Sequence, residues 1–325
     1  MNASAQTNRR TPAVRAAASA GAYLALFYLT IAVNLIPGAA QKLPKSAAFA
    51  PLMLVSVAAF MLVQLLLVRH TAGLQLKAAA LAAGTATCLA LWFLIPFSVK
   101  IMRPETAFFL LAPWRNLFMI LAATFFGCLV SLAIREPGIL LPGVLVAGMV
   151  DYWGVYYGTT LHVIQTAPKV VEKVSVKLPA LGMFGPVATI GPGDFVFLGL
   201  FFSAMYRHNL KVSTTFWVFL ALLVPCMLVV IAFGISIPAL VPMAVAMLLV
   251  NHDQMRLTKS EKFATLYILI LLATALALLT YFSPFRRSQP APRPPGHPSR
   301  SSEHLRGRDQ PRPHSPGRTS PETPP

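Results

Sequence analysis

Hydrophobic residues in this chain run in long unbroken blocks rather than in the one-sided stripe of an amphipathic surface helix. The blocks lie at about 20–37, 48–68, 76–97, 116–134, 138–157, 188–206, 213–234, 235–250 and 262–282. Roughly 20 apolar residues carry one helix across the ~30 Å hydrocarbon layer of a bilayer. The pattern therefore predicts an all-α, polytopic transmembrane helix bundle of about nine spans. Two stretches depart from it. Residues 106–114 are apolar but end at Pro113 and Arg115, which predicts a half-helix or an interfacial segment. The 235–250 block is short and holds Pro238 and Pro242, which predicts a broken or late-starting helix.

The flanks divide the chain into three parts. Residues 1–19 form a polar, basic segment with Arg9, Arg10 and Arg15 and no acid. The apolar run after it is longer than a signal-peptide core, which predicts a retained helix. Residues 20–283 make the transmembrane domain. Within it the longest loop, about 159–187, carries Lys169, Lys173 and Lys177. Residues 284–325 are rich in proline and arginine with no apolar periodicity, the composition of a disordered, solvated tail. The Lys/Arg count, decided by the tail's own arginines, predicts the tail on the inner side, whereas Arg9, Arg10 and Arg15 argue the other way. The expected location is that of a multi-pass protein of the cell membrane.

Composition agrees. The chain is 56% hydrophobic and only 11% charged, against about 25% charged in a soluble domain. The net charge of +17 would suggest nucleic acid in a soluble protein. Here the basic residues sit between apolar blocks and in the tail, where anionic headgroups meet them. No aromatic–basic alternation forms a base-stacking platform, so membrane lipid is the expected partner and nucleic acid is not. Cys88, Cys128 and Cys226 are far apart and lack metal-ligand or CxxC spacing; each reads as a small buried hydrophobe.

Of the ten acidic residues, only Asp151 and Asp194 fall inside apolar blocks. An ionisable group at that depth costs on the order of 3 kcal/mol or more, which marks it as a functional candidate. Neither has a basic residue near the centre of its block. Two acids brought together can share one proton, the arrangement that lets a carboxyl pair work as acid and base. Asp151 stands in GMVDYWGVYYG, where Gly148, Gly154 and Gly158 share its helical face and allow another helix to approach closely. Asp194 stands in IGPGDFVFLGLFF, where Gly191, Pro192 and Gly193 suit a helix start beside a water-accessible cavity. The pair is expected on facing helices, close enough to share a proton through one water.

A third element follows in Pro238-Ala239-Leu240, at the start of the 235–250 block. Taken in order, an intramembrane Asp151, GPGD at 191–194 and PAL at 238–240 resemble the GxGD intramembrane aspartyl proteases, the family of presenilin and signal peptide peptidase. The stretch DYWGVYYGTTLHV at 151–163 is similar to microbial presenilin homologues. The resemblance covers about 148–250 and outlines a protease-like core at 138–250. Three features depart from the family: Val150 stands where a tyrosine is usual before the first aspartate, four spans rather than five precede that aspartate's span, and a further span follows PAL.

The resemblance implies a presenilin-like fold, Asp151 and Asp194 as the catalytic pair, and Gly191, Gly193, Pro238, Ala239 and Leu240 as substrate-binding positions. It implies acid–base hydrolysis of peptide bonds within transmembrane-helix substrates, with no metal and no organic cofactor. Two other readings use the same acids: a proton-coupled transporter or channel with an aspartate relay, and an inactive presenilin-like binding protein. Under the protease reading, deleting residues 284–325 is expected to leave membrane insertion and cleavage intact. A truncated protein that fails in either respect would refute this.

Overall fold

The structure, a computed structural model, describes residues 3–35, 49–101, 104–157, 174–179, 186–233, 237–255 and 259–282. Most of the 159–187 loop, Gly158 and the 284–325 tail lie outside the described residues. The helices are α1 (Ala3–Leu35), α2 (Phe49–Ala72), α3 (Ala78–Ile101), α4 (Pro104–Ser131), α5 (Leu140–Tyr156), α6 (Pro192–Arg207), α7 (Val212–Phe233), α8 (Leu240–Asn251) and α9 (Lys259–Phe282). Two short strands, β1 (Val176–Pro179) and β2 (Pro186–Ile190), precede α6.

Among the described residues, seven helical segments are long and apolar enough to cross a membrane, against the nine blocks expected. The protein is a multi-pass, mainly helical membrane protein. Its outward faces carry large apolar side chains that would be untenable in water: Phe233 and Leu271 are each 72% exposed. In a bilayer these faces meet lipid.

The two remaining blocks form shorter helices. The 235–250 block starts late, as its prolines predict, and α8 runs only from Leu240 to Asn251. Pro242 falls in its first turn, where a missing N–H leaves no intrahelical bond unmade. The 188–206 block yields the 16-residue α6, because residues 186–190 are drawn into the hairpin instead. At 1.5 Å per residue, α6 and α8 are about 24 and 18 Å long, short of the ~30 Å apolar layer.

The hydrophobic pattern does not predict the hairpin. β1 pairs antiparallel with β2, Val176 opposite Ile190 and Leu178 opposite Ala188. Alternate residues Val176 and Leu178 are fully buried, the period-2 signature of a strand. The Asn116 side chain of α4 donates to the Lys177 carbonyl at 3.1 Å and ties the hairpin to the bundle. A second difference is that residues 106–114 are no separate half-helix. They continue into α4 with Pro113 inside it.

α2 is the hub, packing against α1, α4, α6 and α7. α6 packs mainly along α4, and α5 packs along α8. On its outer side α5 reaches α9 through a 2.8 Å hydrogen bond from Trp153 Nε1 to Thr280 Oγ1.

Candidate active site

The GPGD segment builds the start of α6. Gly191 is the N-cap with φ −67° and ψ 146°, and Pro192 takes the first helical position, where its fixed φ and missing N–H suit a helix start. Asp194 sits in the first turn, where the exposed N–H groups of a helix favour an acidic side chain. Its N–H donates to the Gly191 carbonyl at 3.2 Å. A Cβ on Gly191 would lie 3.7 Å from Asp194 Oδ2, an ordinary contact, so the Gly191 backbone packs beside the carboxyl without crowding it. Gly193 is exposed, and a Cβ there would meet nothing within 4 Å.

Asp151 is half-buried on α5, on the face that holds the buried Gly148 and Gly154. The partner of that smooth face is α8: a Cβ on Gly148 would lie 3.6 Å from the Ala244 Cβ and 4.0 Å from the Leu240 carbonyl oxygen. The expectation of facing aspartate helices is thus corrected. The first helix faces the PAL helix, and the second is held by α4 and α2.

PAL joins the two. Pro238 is buried just ahead of α8, Ala239 is its N-cap, and the Leu240 N–H donates to Asp151 Oδ2 at 2.9 Å. The Leu240 side chain is buried in the core. This tripeptide therefore fixes the orientation of the first carboxyl, a function that its apolar side chains gave no means of reading. Asp151 and Asp194 lie within electrostatic reach of each other.

Asp194 opens on a cavity of about 180 Å³. Its wall comes from α2 (Met61, Gln64, Leu65), the end of β2 (Thr189, Ile190), α6 (Asp194, Phe195, Leu198), α7 (Leu223, Cys226, Met227, Val230) and the PAL region (Ile237, Ala239, Met243). A space of that size admits several waters. The structure thus groups Asp194, Ala239 and the strand leading into α6 on one cavity. It ties Asp151 to that wall through Leu240, the neighbour of Ala239, and leaves Gly193 facing outward.

Two lining residues escape a reading of the sequence alone. Cys226 is only partly buried, rather than packed away as expected. Gln64 lies within an otherwise apolar stretch of α2, and a lone amide in such a block is the signal that could have found it. Among the described residues, no group of three or more His, Cys, Asp or Glu side chains is placed to hold a metal ion.

Comparison with protein-family models, with curated proteins and with solved structures finds no match to this chain.

Proposed function

We propose that this protein is an intramembrane aspartyl protease of the cell membrane, similar to the GxGD family, that hydrolyses peptide bonds within transmembrane helices. The observation that carries the reading is the convergence of three separated motifs. The Asp151 carboxyl is held by the PAL backbone, Asp194 interacts with it electrostatically, and Asp194 and Ala239 line one cavity.

The chemistry follows from two carboxyl groups and a water. One carboxylate takes a proton from the water, whose oxygen attacks the scissile carbonyl carbon. The other, protonated carboxyl gives its proton to the carbonyl oxygen. The tetrahedral diol then collapses: the C–N bond breaks, the amine leaves with a proton, and the pair returns to its starting state. No covalent acyl-enzyme forms; Asp194 meets the water in the cavity, and Asp151 acts from behind its PAL wall, where the Leu240 N–H holds it.

The architecture suits a substrate that must unwind. α6 and α8 both begin beside the cavity, and irregular backbone at membrane depth is tolerated where it lines a cavity. The two-stranded hairpin runs directly into Asp194, and Thr189 and Ile190 of β2 line its cavity. A strand next to the reacting groups offers main-chain partners to an extended peptide.

The deciding experiment incubates the purified protein with model transmembrane peptides, with and without a peptidic aspartyl transition-state analogue. The expected products, read by mass spectrometry, end within the apolar segment, and the analogue suppresses them. Intact substrate together with proton flux in liposomes would sink the reading in favour of transport. Pro238→Ala provides a second check. It releases the backbone that aims Leu240 N–H at Asp151, and is expected to lower turnover about 10–100-fold while the protein still inserts, since a 1 Å misplacement costs about that much. Wild-type turnover in this variant would count against a PAL-positioned carboxyl.

A further inference from the structure

The cavity wall carries a polar group that the hydrolytic steps leave unused. Gln64, on α2, is only 2% exposed and lines the same cavity as Asp194. Its Nε2 is buried and completes no hydrogen bond. Tyr23 of α1 is within interaction reach of both Gln64 and Asn116, yet its buried hydroxyl also completes none. The Asn116 amide is already engaged with the Lys177 carbonyl.

A buried donor left without an acceptor is destabilising. Thr189, Cys226 and Asp194 share that wall and Tyr23 stands close by, but Nε2 completes a hydrogen bond to none of them. Gln64 borders the cavity, so a ligand there that brings an acceptor can satisfy its amide after a small side-chain turn. A transmembrane peptide unwound for cleavage brings several, because each carbonyl freed from its helix needs a new donor in a water-poor site. A side-chain amide fits that need. It is neutral, so it does not perturb the acid pair as a lysine would, and it both donates and accepts.

We infer that Gln64 is a substrate-binding residue whose side-chain amide donates to a main-chain carbonyl of the unwound peptide in the Asp194 cavity. The inference rests on the protease reading and adds a recognition contact that is independent of substrate side chains. It assigns to α2 a part in binding that neither GxGD nor PAL supplies.

Gln64→Met keeps length and shape but removes the donor. With a model transmembrane peptide as substrate, KM is expected to rise about 10–100-fold with kcat little changed, the loss of one buried hydrogen bond made in ground and transition states alike. Affinity for the peptidic transition-state analogue should fall in parallel. The melting temperature should hold or rise, because an unpaired buried donor is gone. Unchanged KM and analogue affinity in Gln64→Met would overturn the proposal while leaving the protease reading intact. If Gln64→Met melts lower, Tyr23→Phe decides. A KM rise reproduced by Tyr23→Phe would mean that Gln64 acts by packing against α1, and the proposal falls; normal kinetics in Tyr23→Phe leave it standing. A wild-type protein that neither cleaves the peptide nor binds the analogue would overturn the catalytic reading, and this contact with it.

Discussion

Asp194→Asn and Asp151→Asn are each expected to reduce peptide hydrolysis to background in a protein that remains folded. Asparagine keeps the shape of aspartate but neither takes a proton from water nor gives one to a carbonyl. General acid–base catalysis contributes about 10²–10⁴-fold for a single positioned group, and the pair works as a unit, so either change removes most of the rate. The fold should tolerate both. In Asp151→Asn the amide retains an oxygen that can accept the Leu240 N–H, the contact that links α5 to the PAL turn. In Asp194→Asn the new side chain has the same size and keeps its place in the first turn of α6. Removing an ionisable group from the interior relieves a desolvation cost, so the melting temperature in detergent should stay level or rise. The measurement pairs a cleavage assay with a melting curve for each variant. Hydrolysis retained in both single variants would end the assignment of the dyad.

The sequence announces a membrane bundle because lipid requires unbroken apolar stretches, and such stretches are visible without any knowledge of contacts. The helix starts at Pro192 and Leu240 were also legible, since proline and glycine act on the backbone locally. What could not be read depends on pairing between distant segments. Residues 186–190 look like the front of an apolar span, yet they pair with Val176–Pro179. Block-reading also split 106–114 from the rest of α4 at Pro113, although the helix continues through that residue. The aspartates themselves stood out by their surroundings. Their relation did not: the smooth glycine face of α5 meets Ala244 and Leu240 of α8, and the Leu240 N–H that holds Asp151 belongs to backbone, which no side-chain pattern reveals.

The same dependence on distant contacts governs how Asp194 is held, and it leads to a second large effect. α6 and α4 come together through Gly199 and Gly127. A Cβ on Gly199 would lie 2.6 Å from the Thr124 carbonyl oxygen and 3.0 Å from its Cα. A Cβ on Gly127 would collide with the Val196 carbonyl oxygen and lie 2.8 Å from the Leu200 nitrogen. These obstacles are backbone atoms, so no rotamer change makes room and the helices must separate. Around them the seam is tied by polar contacts: Ser131 Oγ donates to Ser203 Oγ at 2.8 Å, and Arg207 donates to the Ser131 carbonyl at 2.7 Å. Overpacking of this kind costs about 1–3 kcal/mol, so Gly199→Ala and Gly127→Ala should each lower the melting temperature. The functional loss should be larger than the stability loss. Asp194 lies about one and a half turns up α6 from Gly199, whereas Asp151 is held separately by α8. A shift of α6 away from α4 therefore moves one carboxyl relative to the other, and a misplacement near 1 Å costs about 10²-fold in rate. Gly143→Ala is the control, because a Cβ there meets nothing within 4 Å. It should melt and cleave as wild type does, gaining slightly from the better helix propensity of alanine. Wild-type melting and turnover in both Gly127→Ala and Gly199→Ala would show that the α4–α6 seam does not set the position of Asp194.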